Sequence, residues 1–269
     1  MKKLFFLIAI VVLGTSCSEY GHVVKKGTLT EKYDYALKAY KKNDYVRALP
    51  LFEDLLAVYR GQTKSEEIYY YYSYCYYGQA QYELAAYHFK NFTENYFNSK
   101  HQEECAFMYT KCLYKQALPY FLDQTNTEKA IEETQLFLNL YPKTRFKEEC
   151  NNQVKELRGN LHKKAYETAM LFYKIEDYRA AILSFKNAIK AYPDIDNKDY
   201  IEFLIVKSSH QYAKLSVDEK KLERYEDVFK EYQHFIRYNK NSKFLKQVEE
   251  IHSKAQEELT KYKKINKLI

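Results

Sequence analysis

The sequence predicts an all-α fold built from a repeated helix–turn–helix unit, because one pattern of small and bulky residues recurs along it. Within residues 177–193, the small residue Ala181 is followed by Phe185 and then, three positions later, by Ala188. The same pattern starts again at Ala48, Ala85 and Ala130. Spacings of three and four residues share one helical face, whereas a strand would alternate. Recurrence at roughly 34 residues is typical of tetratricopeptide repeats, so we predict a tetratricopeptide-like helical-repeat solenoid of about five units.

Each unit is expected to place small residues where its helices cross and large residues between layers, since neither helix can bury its apolar stripe alone. The small positions are Ala36, Ser73, Thr110 and Ala169 in the first helices, and Ala48, Ala85, Ala130 and Ala181 in the second. The large positions include Phe52, Phe89 and Phe185. Pro142 and Pro193 follow two of the second helices, where a residue without an N–H ends a helix.

We expect the repeats to form a single domain over residues 31–262, followed by a basic tail over residues 263–269. A long helical run, at about residues 144–173, should lead into the fourth unit. Two turns are predicted to be expanded: residues 118–127 interrupt the third unit and residues 216–224 lengthen the turn of the fifth. Irregular loops of a repeat protein carry specificity more often than core positions do.

The N-terminus predicts export followed by lipid anchoring. Two lysines precede the apolar residues 4–13, a run too short to span a bilayer as a helix but typical of a signal peptide. Residues 13–17 resemble the cleavage box of bacterial lipoproteins. We therefore predict a signal peptide over residues 1–16, palmitate on Cys17, and a lipidated, flexible tether over residues 17–30. Ordinary secretion with cleavage before Cys17 is the alternative.

Composition argues against catalysis and cofactors. The few glycines, 6 in all, are isolated, whereas a phosphate-binding loop needs them clustered. The remaining cysteines, Cys75, Cys105, Cys112 and Cys150, lack the close spacing of a zinc site, and the histidines are scattered. The net charge of +7 comes from interspersed residues, so no nucleic-acid partner is expected. We predict that the chain is not an enzyme and has no catalytic residues, metal site or cofactor.

Tyrosine is the unusual residue, with 30 copies and no tryptophan. In such repeats the first helices line the inner face, and tyrosine offers apolar area and a hydroxyl at low rotamer cost. A peptide-binding groove is predicted from the inward phase of the first two units: Tyr33, Leu37, Tyr40, Lys41, Tyr70, Tyr74 and Tyr77. The alternative is packing between layers, because the consecutive tyrosines at residues 69–72 point in different directions.

The signal peptide, the box at Cys17, the repeats and the expanded third turn together resemble the BamD family of outer-membrane assembly lipoproteins, over almost the whole chain. The resemblance implies a lipid anchor on the periplasmic side of the cell outer membrane. It also implies docking to the BamA barrel insertase, mainly through C-terminal repeats, within an assembly complex. The N-terminal groove would recognise unfolded outer-membrane proteins. Another tethered periplasmic scaffold, for cell division, peptidoglycan coordination or secretion, is the alternative.

Overall fold

The computed structural model describes residues 19–266, and this part of the chain contains helices and no strands. The helices are α1 (Leu29–Lys41), α2 (Tyr45–Val58), α3 (Lys64–Gly78), α4 (Tyr82–Asn95), α5 (Gln102–Lys115), α6 (Thr125–Leu140), α7 (Lys147–Lys174), α8 (Tyr178–Ala191), α9 (Lys198–Lys214), α10 (Asp218–Tyr238) and α11 (Leu245–Asn266). Residues 19–26 form a further helical segment. The predicted all-α class is confirmed. None of the helices in this described part combines the length and hydropathy that a membrane crossing needs.

The odd-numbered helices α1 to α9 are the first helices of the repeats, and the even-numbered helices that follow them are the second helices. The chain divides into two compact units, unit 1 ending at Leu157 and unit 2 beginning at Arg158. In unit 1, each helix from α1 to α5 packs on the next one. In unit 2, the helices from α8 onward pack in the same way, and α11 contacts both α10 and α9. The repeat architecture is therefore the predicted one, with α11 as an additional helix.

The small and large positions read from the sequence form the cores of both units. Every predicted small residue is buried: Ala36, Ala48, Ser73, Ala85, Thr110, Ala130, Ala169 and Ala181. Phe52, Phe89 and Phe185 are completely buried as well. Close helix approach at a small residue brings the neighbouring bulky side chains into contact, and burial of such a side chain contributes roughly 1.5–3 kcal/mol. The predicted stacking pattern is confirmed.

The turn inside a repeat uses a left-handed residue directly before the second helix. Asn43, Ala80 and Glu176 have φ angles of 59°, 56° and 62°. Each immediately precedes the N-cap residue of its second helix. At two of these N-caps, Asp44 and Asp177, the side chain accepts a hydrogen bond from a backbone N–H of the first turn. The repeated backbone conformation gives these three hairpins the same short connection between their helices.

The segment predicted to be a flexible tether, residues 17–30, is ordered over its described part. Residues 19–26 are helical, and Tyr20, Val23 and Val24 pack against the core of the first repeat. These apolar residues recur at helical spacing, which gives the segment a face to bury. Helix α1 then begins at Leu29, with Thr28 and Glu31 forming a capping box.

The two predicted expanded turns have different outcomes. A loop of residues 116–124 does separate α5 from α6, and buried Gln124 donates from Nε2 to the Pro119 carbonyl at 2.9 Å. The second prediction, over residues 216–224, was wrong because α10 already begins at Asp218. This run contains neither glycine nor proline, and acidic residues in its first turn favour a helix N-terminus. The predicted basic tail also differs, since α11 extends to Asn266.

We predict that Ala80→Gly stabilises the protein by about 0.5–1 kcal/mol, because glycine adopts a positive φ without the steric penalty of a Cβ. Chemical denaturation of the purified protein measures the change. Ala106→Gly is the matched control: Ala106 lies in the middle of α5, where glycine costs about 1 kcal/mol. Destabilisation by Ala80→Gly of the same size as the control would contradict this account of the turn.

Candidate polypeptide-binding face

Adjacent glutamates stand at the start of first helices α3 and α5, and the first of each pair fixes the next repeat. Glu66 Oε1 accepts a hydrogen bond of 2.5 Å from Ser99 Oγ, in the loop leading to α5. Glu103 Oε1 accepts one of 2.6 Å from Thr144 Oγ1, in the loop leading to α7. Successive repeats of unit 1 are thus joined by equivalent bonds between a hydroxyl and a carboxylate.

Unit 2 has one bond of the same kind, from a loop hydroxyl to a carboxylate at the start of a helix. It has a second junction bond in which the carboxylate lies in the loop and the donor lies on the helix. Ser242 Oγ donates to Asp199 Oδ2 at 2.7 Å, which joins the loop before α11 to the first turn of α9. In the loop before α9 the carboxylate comes from Asp194, which accepts from Arg158 of α7 at 2.6 Å. The linkage therefore belongs to the architecture of the repeats in both units.

The second glutamate of the α5 pair, Glu104, binds side chains from both neighbouring repeats. Its Oε1 accepts hydrogen bonds from the hydroxyls of Tyr70 at 2.8 Å and Tyr74 at 2.6 Å, both on α3. Its Oε2 lies 3.2 Å from Nη2 of Arg145, which precedes α7. The Glu104 side chain is 27% exposed, so this carboxylate is largely withdrawn from water.

The protonation states of this cluster follow from its surroundings. Burial raises the pKa of the Glu104 carboxyl, but hydrogen bonds from Tyr74 and Tyr70, together with electrostatic interactions with Arg145 and His101, outweigh burial, so the net pKa is lowered. Burial, and then the bond to Glu104, raises the pKa of both phenols. At neutral pH the ionised Glu104 carboxylate therefore accepts hydrogen bonds from two neutral phenols. Hydrogen bonds to an ionised acceptor are among the stronger ones in proteins.

A continuous run of rings lies next to this cluster, and we call Tyr40, Tyr70, Tyr71, Tyr74 and His101 the aromatic shelf. The Tyr40 and Tyr71 ring centroids are 4.9 Å apart, and Tyr71 and Tyr70 are 5.3 Å apart. Tyr70 also meets Tyr74 at 4.8 Å and His101 at 4.2 Å. All five side chains are half-buried, so each ring packs on one side and keeps part of its surface open to a ligand.

The predicted groove residues mostly serve packing and remain partly accessible. Tyr33, Leu37 and Tyr40 pack against the core of the first repeat, and Tyr70, Tyr74 and Tyr77 pack against the core that follows it. Lys41 is exposed. Tyr33 carries the Lys64 ammonium 4.2 Å from its ring centroid, and Tyr77 meets Tyr82 at 5.5 Å. Peptide binding by these residues stays a prediction, and the packing alternative describes much of their contact area.

The predicted groove left out Tyr71, His101, Glu104 and Arg145, although the repeat carries a signal for Glu104. Residues 72–80 match residues 109–117 in sequence, and extending this match backwards aligns the glutamate pair of α3 with that of α5. The same offset aligns Tyr33 with Tyr70. Tyr33 also hydrogen-bonds the second glutamate of α3, Glu67, and this bond contributes to its raised pKa after burial. A recurring tyrosine and glutamate in successive first helices was therefore detectable as a pair.

Beyond Arg145, the first-helix face continues as a polar cleft of about 590 Å³ between α5 and α7. Lys111 of α5 pairs with Glu149 of α7 at 2.9 Å, and the Tyr114 hydroxyl donates to Glu156 at 2.7 Å. The cleft thus presents charges of both signs and hydrogen-bonding groups beside the aromatic shelf. Such a lining can pair with backbone amides and carbonyls of an extended chain.

The four internal cysteines that were considered as metal ligands lie inside the helix packing. Cys75, Cys105, Cys112 and Cys150 are buried and unbridged, and burial raises the pKa of their thiols, to about 12 for Cys75. A protonated, buried thiol is a poor nucleophile. Within residues 19–266, no three or more His, Cys, Asp or Glu residues come together in a way that could hold a metal ion. Cys17 lies outside the described residues.

Stacked helix hairpins with an aromatic and polar first-helix face define a helical-repeat scaffold of the tetratricopeptide class. The chain belongs to the YfiO family of outer membrane lipoproteins, whose family model matches residues 25–195. This family is BamD-related, so the predicted resemblance is confirmed at the level of the family. Cys17 precedes the matched residues, and its lipidation stays a prediction.

Two solved structures resemble the chain at low identity. The tetratricopeptide domain of P58(IPK) is 15% identical, with a TM-score of 0.41, over 90% of this chain and 68% of that one. The TPR2AB domain of yeast Sti1, from a pHSP90 complex, is 12% identical, with a TM-score of 0.40, over 85% of this chain and 98% of that one. The fold assignment stands on the helices themselves. No curated protein matches the sequence.

We predict that Glu104→Gln lowers the free energy of unfolding by about 1–3 kcal/mol at pH 7, because two phenols lose a charged acceptor. Since folding lowers the pKa of Glu104 below its ordinary 4.5, this stabilisation is present above pH 4.5 and is lost as the pH falls through the folded-state value. Denaturation at pH 7 and pH 3 should show the difference between variant and wild type shrinking at the lower pH.

The matched control is Glu132→Gln, which changes an exposed glutamate of α6 and should leave stability within about 0.5 kcal/mol of wild type. An effect of Glu104→Gln that stayed constant between the two pH values would contradict an ionised Glu104 as the acceptor.

Proposed function

We propose that this protein is a non-catalytic scaffold of outer-membrane protein assembly that binds extended, unfolded polypeptide on the first-helix face of unit 1. The observation that carries the proposal is the aromatic shelf, a run of half-buried rings across successive first helices. Rings fixed by packing lose little entropy on binding. They supply apolar contact area that does not depend on one particular sequence, which suits a scaffold with many clients.

The chemistry of the face favours strands of membrane β-barrels as the bound segments. Such strands alternate apolar and polar residues and carry aromatic residues near both membrane interfaces. An extended segment can lay its apolar side chains on the aromatic shelf while its backbone groups reach the polar cleft near Lys111 and Glu149. An unfolded barrel strand has no pairing partner of its own, so both kinds of contact are available to it.

Family membership supports placing this binding face at the outer membrane, and we propose an anchor on the periplasmic side through lipid on Cys17. Two acyl chains hold a protein stably on a bilayer, whereas one gives marginal binding. Cys17 is two residues from Glu19, where the described helical segment begins, and two residues span at most roughly 7 Å. Because that segment packs on the first repeat, the anchor would hold the first repeat close to the membrane surface.

We further propose docking to a BamA-like barrel insertase and to other subunits of its assembly complex, with no nucleic-acid partner. The BamD-related family supports this assignment. A scaffold that binds unfolded strands needs a partner that inserts them into the bilayer, since within residues 19–266 none of the helices is long and apolar enough to cross a membrane. The insertase supplies that step.

We predict that Tyr40→Leu combined with Tyr71→Leu weakens peptide binding by roughly tenfold, since aromatic contacts contribute about 0.5–1.5 kcal/mol each beyond buried area. Leucine retains an apolar side chain in the packing. The measurement is fluorescence anisotropy with a labelled peptide whose residues alternate between aromatic and polar. The control, Tyr87→Leu, removes a ring that is 60% exposed on second helix α4 and should bind as wild type does. Unchanged peptide affinity in the double variant, with lowered affinity in the control, would contradict the proposed binding face.

Localisation and partners have a separate test. We expect the Cys17→Ser variant to be absent from the outer-membrane fraction, because the acyl chains that hold the protein there cannot attach. Pull-down of the wild type from detergent-solubilised membranes should recover a large barrel protein with repeated periplasmic domains. Recovery of cell-wall enzymes in its place would favour a peptidoglycan-coordinating scaffold and contradict the assembly role.

A further inference from the structure

A buried carboxylate in unit 2 lacks a strong cationic partner. Glu202 of α9 is 4% exposed, and Asn239 Nδ2 donates a hydrogen bond to its Oε2. The basic side chain within 4.0 Å is His234, whose Nδ1 lies 4.0 Å from Oε2 and whose side chain is 54% exposed. Within residues 19–266, no lysine or arginine lies within 4.0 Å of the Glu202 carboxylate. Burial of a carboxylate is costly unless the charge is paired, so this site is incomplete.

Glu202 lines a pocket of about 450 Å³ formed by α8, α9 and α10. The apolar part of its wall comes from Ile189 of α8, Ile205 of α9 and Phe235 of α10. The pocket therefore combines an apolar passage with a buried negative charge. A ligand that satisfies both must carry a cation on an apolar stem.

Lysines also line the pocket, and two of them are neutralised by carboxylates of their own. Lys186 lies 2.5 Å from Glu231, and Lys230 lies 2.6 Å from Asp227. These side chains are 46% and 73% exposed, so they stand near the mouth of the pocket, in contrast to buried Glu202. Together with exposed Lys190, they offer donors to carbonyl or carboxylate groups next to the entering cation.

We propose that this pocket binds the side chain of an arginine or lysine from a partner polypeptide, with the guanidinium or ammonium group paired to Glu202. The methylene stem of such a side chain packs on apolar walls while its head stays polar. A polypeptide fits better than a free small amine, because backbone carbonyls and acidic neighbours can accept from the lysines at the mouth. The pocket lies in unit 2, and the proposal does not depend on the aromatic shelf.

The test compares two capped tripeptides, Asp-Arg-Asp and Asp-citrulline-Asp, by saturation-transfer NMR with the full-length protein in detergent. Citrulline has nearly the shape of arginine without its charge. We expect the arginine peptide to bind at least tenfold more tightly than the citrulline peptide. Glu202→Gln should abolish this preference, whereas Glu250→Gln, which alters an exposed carboxylate of α11 outside the pocket lining, should retain it. Equal binding of the two peptides to wild type would overturn the proposal.

A second variant tests whether the peptide binds in this pocket even if Glu202→Gln does not fold. Ile189→Trp fills the half-buried wall of the pocket without touching the carboxylate, so it should abolish binding of the arginine peptide. Retained binding in Ile189→Trp would place the peptide elsewhere and overturn the assignment. Butylguanidinium serves as the small-amine probe: binding as tight as that of the peptide would overturn the polypeptide as the occupant.

Discussion

At three junctions between successive helix hairpins, a hydrogen bond from a hydroxyl to a carboxylate fixes one layer on the next, and at a fourth junction the donor is Arg158. The placement of the side chains described above depends on these bonds. A repeat contacts only its neighbours, so each junction must be fixed locally. Apolar stacking brings the helices together but is not directional. The bonds of Ser99 to Glu66 and of Thr144 to Glu103 add direction, because each joins one loop atom to one carboxylate at the start of a helix.

The same carboxylate-rich helix starts connect architecture to function. Glu104 directly follows the residue that fixes the next repeat, and it holds the hydroxyls of Tyr70 and Tyr74. Half-buried phenols without such an acceptor would lose hydrogen-bonding energy on burial. With it, the rings are held at fixed positions and still expose part of their surface. Unit 2 shares these junction bonds, whereas the aromatic shelf lies in unit 1, so the proposed polypeptide-binding face belongs to unit 1.

The sequence predicted the fold well because steric constraints on close helix approach act at single positions. Ala48 and Ala181 are small for a local reason, and that reason is visible as a pattern in the chain. The loop at residues 216–224 was predicted wrongly because a polar, charged run resembles a loop when its burial partner is unknown. In the structure, Tyr225 and Val228 bury one face of that helix.

The site was harder to predict because its key contacts join different repeats. Tyrosines at inward positions were visible, but their degree of burial depends on rings from neighbouring helices, such as the contact of Tyr71 with Phe52 at 5.8 Å. The role of Glu104 depends on three partners, and one of them, Arg145, lies 41 residues away along the chain. Single-position patterns do not encode such a cluster. Only the recurrence of a tyrosine with a glutamate in successive repeats pointed to it.

Site-specific photo-crosslinking in cells tests the central claim most directly, namely that the aromatic shelf binds unfolded outer-membrane proteins. A photoreactive phenylalanine analogue would replace Tyr71 on the shelf or, in a matched strain, the exposed Tyr87 on α4. The account predicts crosslinks from position 71 to newly exported barrel proteins, which disappear once those proteins are inserted, and none from position 87. Crosslinks from position 87 alone would contradict it.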